Sequence, residues 1–101
     1  MNKKEAEKIP IGGCVVKHRR YETEILRITD KSDTFWHTQY IILNTDGHVR
    51  DYGECGFNYA YSDGWKKACL EDQFLRMWKL LKMQEIAIRP IVQSILETRK
   101  K

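Results

Sequence analysis

The residues best suited to chemistry in this chain are its cysteines and histidines, which could ligate a metal or supply a nucleophile. They are Cys14, Cys55, Cys69, His18, His37 and His48. Structural zinc sites usually contain paired ligands about two to four residues apart, and only Cys14 and His18 come near that spacing. A cysteine nucleophile also needs a positioned histidine, and no known signature surrounds these thiols. The sequence therefore predicts no metal site, no cofactor and reduced thiols.

Carboxylates and glycines give no stronger indication of an enzyme. Glu22 and Glu24 fall on one face of a predicted strand, where carboxylates are usually just solvated. The segment 53–56, Gly-Glu-Cys-Gly, lacks the glycine density and the strand-to-helix position of a phosphate-binding loop. We expect a protein without catalytic activity, although a site assembled from residues distant in sequence would not show in such patterns.

Aromatic and basic residues form a second pattern. In the strand register described below, one face of the predicted sheet carries rings together with cationic side chains, and further arginines lie nearby. The residues concerned are Trp36, Tyr40, His48, Arg50 and Tyr52, with Arg19 and Arg20. Unpaired bases stack on such rings while basic groups neutralise phosphate, so single-stranded RNA or DNA is one candidate ligand. Alternatively, the rings form half of a buried core, because a small sheet must bury one face.

Alternating apolar residues predict the sheet that would hold these side chains. Three or four antiparallel strands are expected between residues 14 and 61, preceded by a charged tail and lead-in over residues 1–11. Thr45-Asp46-Gly47 is typical of a three-residue hairpin loop with a left-handed glycine. That loop would pair Leu43 with Val49 and so set which residues share a face.

A long C-terminal helix is expected to pack on this sheet. Ser62 and Asp63 suit a helix start, so the helical region is predicted over residues 63–99, with a kink at Pro90. Its main apolar stripe includes Phe74 and Leu81, which predicts burial against the sheet. The whole chain, 1–101, is therefore predicted to be a single α+β domain.

A second apolar arc on the predicted helix suggests that another chain covers it, unless the C-terminal segment folds back over it. The expected protein-interface residues are Trp65, Arg76, Leu80, Met83 and Ala87. A helix that packs only against one small sheet needs a single apolar face, whereas this helix is predicted to have two such faces. They predict an oligomer or a complex with a different protein.

Size and charge complete the prediction. The chain has 101 residues and a net charge of +4, and residues 62–101 carry the whole excess, with nine Lys/Arg against five Asp/Glu. No apolar run reaches the ~20 residues of a membrane span and no secretion signal is recognisable, which predicts a cytoplasmic protein that does not bind membranes.

We expect a small interaction module for a protein partner, of the kind that phages and mobile elements use as inhibitors or adaptors of nucleic-acid-handling enzymes. Direct nucleic-acid binding is the alternative.

Overall fold

A computed structural model describes residues 1–83 of the chain. The chain divides into two compact units, Met1–Glu71 and Asp72–Lys101. The first unit holds a sheet and a short helix, and the described part of the second unit is helical. This places the chain in the α+β class, as predicted. The predicted kink at Pro90 and the interface residue Ala87 lie outside the described residues.

The first unit is built on a five-stranded antiparallel sheet with the strand order β4-β3-β2-β1-β5. The strands are β1 Cys14–His18, β2 Glu22–Lys31, β3 Phe35–Asn44, β4 Val49–Asn58 and β5 Lys66–Ala68. Branched and aromatic residues favour the central strands, because such side chains pack well on a pleated surface. The sequence predicted three or four strands, at least one fewer than the sheet contains, because β5 lies in the segment that was expected to be helical.

The helix expected from Asp63 begins later. Tyr59–Tyr61 form a 3-10 turn whose N-cap, Asn58, accepts a hydrogen bond from the backbone N–H of Ala60. Gly64 then has a positive φ of 83°, which turns the chain away from a helix. β5 pairs with β1, and helix occupies residues 71–83 of the described chain. Pairing with a distant strand has overridden the local helical signal.

A short helix, α1 Lys3–Lys8, stands where a charged tail was expected. Asn2 caps its start by accepting the backbone N–H of Glu5 at 2.9 Å. At its other end the Lys31 ammonium donates to the carbonyls of Glu7 and Ile9, at 2.7 and 2.6 Å. These carbonyls belong to the end of the helix, where backbone acceptors lack partners within the helix.

α1 contributes to the core of the first unit. Ala6 and the following Ile9 are buried in one cluster with side chains from the sheet and the segment after it. The other members of the cluster are Val15, Leu26, Ile28, Trp36, Tyr59 and Trp65. The opposite face of the sheet is also apolar and buried, at Cys14, Ile25 and Ile41. Both faces of the central strands are therefore withdrawn from solvent.

The hairpin between β3 and β4 confirms the predicted turn but changes the predicted faces. Gly47 has a φ of 88°, and Leu43 pairs with Val49 as expected. The register then shifts between Ile42 and Leu43, so that Tyr52 pairs with Ile41. Directly paired residues point to the same side of a sheet, so this bulge moves Tyr52 to the face opposite the one predicted.

Candidate functional site

Trp36, the central ring of the predicted nucleic-acid surface, lies in the core. Its side chain is fully buried. The indole stacks on Phe57 with ring centroids 5.7 Å apart and lies 5.4 Å from the ring of Tyr59. Two neighbouring aromatic rings thus pack against the indole. The expectation that Trp36 stacks on a base is wrong, and the alternative that this residue belongs to the core is correct.

The two tyrosines of the predicted surface do not lie together. The ring of Tyr40 packs so closely over Gly53 that a Cβ atom there would come within 2.9 Å of the tyrosine oxygen. Its hydroxyl donates to the Asp51 carboxylate at 3.3 Å. Burial, and then the negative charge of Asp51, raises the pKa of Tyr40. Tyr52 is half-buried on the opposite face, so no pair of stacking rings is formed.

Arg19 and Arg50 of the predicted surface are paired with glutamates. Arg19 lies 3.9 Å from a carboxylate oxygen of Glu22 and 3.6 Å from one of Glu24. Arg50 donates to the other carboxylate oxygen of Glu22. A phosphate would have to compete with these carboxylates for the same guanidinium groups. The site is therefore close to neutral, unlike the positive surface that single-stranded nucleic acid requires.

The remaining predicted residues of that surface lie on turns. Arg20 is exposed and its guanidinium lies 5.2 Å from the ring centroid of Tyr21. His48 is exposed in the β3–β4 turn, where its Nδ1 lies 3.9 Å from a carboxylate oxygen of Asp46. Both turns stand at the same end of the sheet, because Glu22 pairs with Asn44. The structure therefore leaves a small aromatic and basic corner instead of a sheet face.

Of the residues predicted to form a protein interface, those on the described helix are exposed, whereas Trp65 is not. Trp65 is buried and packs edge-on against Phe57 at 5.5 Å, so it belongs to the core and not to the helix. Leu80 and Met83, by contrast, are 60% and 59% exposed, and Arg76 is exposed beside them. Leu75, 44% exposed, adds a further apolar side chain that the sequence pattern did not single out.

A cleft beside α1 was not anticipated from the sequence. Its volume is about 430 Å³, and it is lined by Met1, Glu5, Lys8, Ile9, Trp65, Lys66 and Lys67. A charged tail and a continuous helix were expected in these two segments, so no signal brought them together. Their proximity depends on the pairing of β5 with β1 and on the anchoring of α1.

The thiols differ in their surroundings. Cys14 is buried, whereas Cys55 and Cys69 are exposed. Burial raises the pKa of the Cys14 thiol to about 11, the Glu71 carboxylate adds to the rise, and Arg27 opposes it. Among residues 1–83, no group of three or more His, Cys, Asp or Glu side chains is placed to hold a metal ion. No helix in this part of the chain is long and apolar enough to cross a membrane.

Comparison of the chain with protein-family models, curated proteins and solved structures finds no match.

Proposed function

We propose that this protein is a small, non-catalytic interaction module that binds a protein partner through the exposed arc of the helix at residues 71–83. The observation that supports it is the exposure of three large apolar side chains on one helix. Leu75, Leu80 and Met83 are 44%, 60% and 59% exposed. Several large apolar side chains exposed close together on a small protein are typical of an interaction site.

The arc has a defined composition. At about 3.6 residues per turn, positions 75, 76, 80 and 83 fall within about 140° of the helix surface. Arg76 lies between the apolar side chains, and Lys79 is exposed in the same arc. Apolar residues with arginine are characteristic of protein interfaces. The partner surface that suits this arc is an apolar groove bordered by carboxylates.

The other side of the same helix is already occupied. Phe74 is fully buried, and its ring stacks on that of Trp78 with centroids 6.0 Å apart. Phe74 lies about 100° or more around the helix from the members of the exposed arc, so the two sets do not serve the same contact. Packing among residues 1–83 therefore does not account for Leu80 and Met83. This separation favours an external partner for the arc.

The identity of the partner stays a prediction. Composition favours a nucleic-acid-handling enzyme that the module inhibits or recruits, and a second copy of the chain is an alternative occupant of the arc. Direct nucleic-acid binding is less well supported, because Trp36 is buried and Arg19 and Arg50 are paired with glutamates.

A pull-down from the source cell, with and without nuclease, tests the proposal. The variant Leu80→Glu introduces a charge into the arc, and Ile11→Glu is its matched control, because Ile11 is an exposed apolar residue elsewhere, at 59%. We expect the unmodified protein and Ile11→Glu to capture the same protein and Leu80→Glu to lose it, with no effect of nuclease. Size-exclusion chromatography shows whether the partner is a second copy.

Two results would contradict the proposal. Capture that is unchanged in Leu80→Glu would exclude the helix arc as the interface. Capture that disappears after nuclease treatment would instead favour the nucleic-acid alternative. A thermal melt of each variant shows whether Leu80→Glu has merely unfolded the protein.

A further inference from the structure

The cleft between α1 and β5 has the dimensions of a ligand site. Its volume of about 430 Å³ lies within the range of about 300–1,000 Å³ that is usual for small-molecule pockets. All of its lining residues belong to the first unit, Met1–Glu71. It therefore forms within one compact body.

Two kinds of wall surround the cleft. Met1, Ile9 and Trp65 are the apolar lining residues. Ile9 and Trp65 belong to the core and are each only 3% exposed, so the partly buried Met1 supplies more of the accessible apolar surface. Lys8, Lys66 and Lys67 supply positive charge, against which only Glu5 among the lining residues is negative. The cleft thus combines an apolar floor with a net positive rim.

The strand that borders the cleft adds backbone groups. β5 is an edge strand, and within the described chain it pairs with β1 alone. Lys66 and Lys67, two consecutive residues of β5, both line the cleft. Edge strands carry unpaired N–H groups, which are suitable donors to an oxyanion.

The helix that forms the facing wall is held in place. Lys31 binds the carbonyls of Glu7 and Ile9, and the Ser62 hydroxyl donates to the Met1 carbonyl at 3.1 Å. Ala6 and Ile9 anchor the same segment in the core. The cleft is therefore formed before a ligand arrives, which lowers the entropic cost of binding.

From these observations we infer a binding site for a small organic anion with an apolar body, such as a medium-chain carboxylate. Its anionic group lies near Lys8, Lys66 and Lys67, and its apolar part lies against Met1 and the exposed edges of Ile9 and Trp65. An inorganic anion would leave the apolar floor without a contact. A cation of the same shape would be repelled by the lysines. This site is separate from the helix arc of the proposed function.

Octanoate, octylammonium and inorganic sulfate are the probes that test these requirements. We expect octanoate to shift the NMR signals of the Trp65 indole and of the Lys66 and Lys67 amides in a saturable way. Octylammonium and sulfate, at the same concentrations, should cause no such shifts. Leu80→Glu should bind octanoate as the unmodified protein does, which separates this site from the helix arc.

A variant that lacks the three lysine charges tests their contribution to octanoate binding. Each exposed charge contributes about two- to fivefold to affinity, so Lys8→Gln, Lys66→Gln and Lys67→Gln together should weaken octanoate binding by about tenfold or more. The matched control changes Lys3, Lys4 and Lys79 to Gln, which gives the same loss of charge outside the cleft. We expect the control to retain binding to within about twofold.

Salt dependence gives a second measurement if the triple variant is unfolded. Octanoate affinity for the unmodified protein should fall as sodium chloride rises, since salt screens the lysines. Equal binding of octylammonium, an affinity insensitive to salt, equal weakening in the control variant, or an absence of saturable shifts with octanoate would each overturn the inference.

Discussion

Replacing Lys31 by methionine should detach α1 from the sheet while leaving the strands paired. Lys31 lies at the end of β2, and its ammonium donates to the Glu7 carbonyl at 2.7 Å and to the Ile9 carbonyl at 2.6 Å. Methionine keeps much of the aliphatic stem but removes both donors. α1 has six residues, too few to be stable without tertiary contacts.

The magnitude follows from these two bonds. A hydrogen bond to a charged group contributes about 1.5–3 kcal/mol when it is buried, and this lysine is only half-buried. We therefore expect a loss of about 2 kcal/mol in the free energy of unfolding for the pair. For a domain of this size that corresponds to a fall in Tm of roughly 10 °C.

Thermal melting and amide hydrogen exchange measure the effect. The amide of Ala6, which donates to the Asn2 carbonyl at 3.0 Å, should exchange faster in Lys31→Met, whereas β2 and β3 amides should remain protected. Lys4→Met, at an exposed position of the same helix, is the control for lost charge. If the free energies of unfolding of Lys31→Met and Lys4→Met differ by less than about 0.5 kcal/mol, and the Ala6 amide stays protected from exchange, Lys31 does not hold the helix.

Three further predictions concern the thiols and the core. At pH 8 a thiol reagent should label Cys55 and Cys69 quickly and Cys14 slowly, since Cys14 is buried and its pKa is raised to about 11. The pKa of the thiol is about 9.0 in the unfolded chain and about 11 in the folded protein, so stability should be lost as pH rises between these values, and Cys14→Ala should reduce that loss. Trp36→Ala should cost about 3–5 kcal/mol in a denaturant titration, and near-wild-type stability would contradict its place in the core.

The sequence predicted those elements whose signals are local. The turn at Thr45-Asp46-Gly47 was predictable because a left-handed glycine in a three-residue loop is a property of those residues alone. β5 was not, because Lys66-Lys67-Ala68 has little strand propensity and pairs through β1, far away in the sequence. α1 was missed for the same reason, since Lys31 and Ser62 hold it from distant positions.

The candidate interaction surfaces also include residues that local spacing could predict and residues that it could not. Leu80 and Met83 could be assigned to one helical arc by their spacing, and they are exposed on a helix. The location of Trp65 could not be predicted from its spacing, because it depends on the residue at which the helix begins. The bulge between Ile42 and Leu43 likewise separates Tyr52 from Tyr40, and a single extra residue of this kind leaves no clear mark in the sequence.

Burial on both sides of the sheet limits where a partner can bind. Domains that bind single-stranded RNA on a sheet need one open face with exposed rings. Here Leu26 and Trp36 are buried on one side of the sheet, and Ile25 and Ile41 are buried on the other. Surface for recognition within residues 1–83 therefore lies at the turns, at the sheet edges and on the helix. Three of the large apolar side chains exposed among these residues, Leu75, Leu80 and Met83, share the helix arc, and lysines lie beside apolar lining residues in the cleft. These two surfaces differ in chemistry, which favours two separate sites for two different ligands.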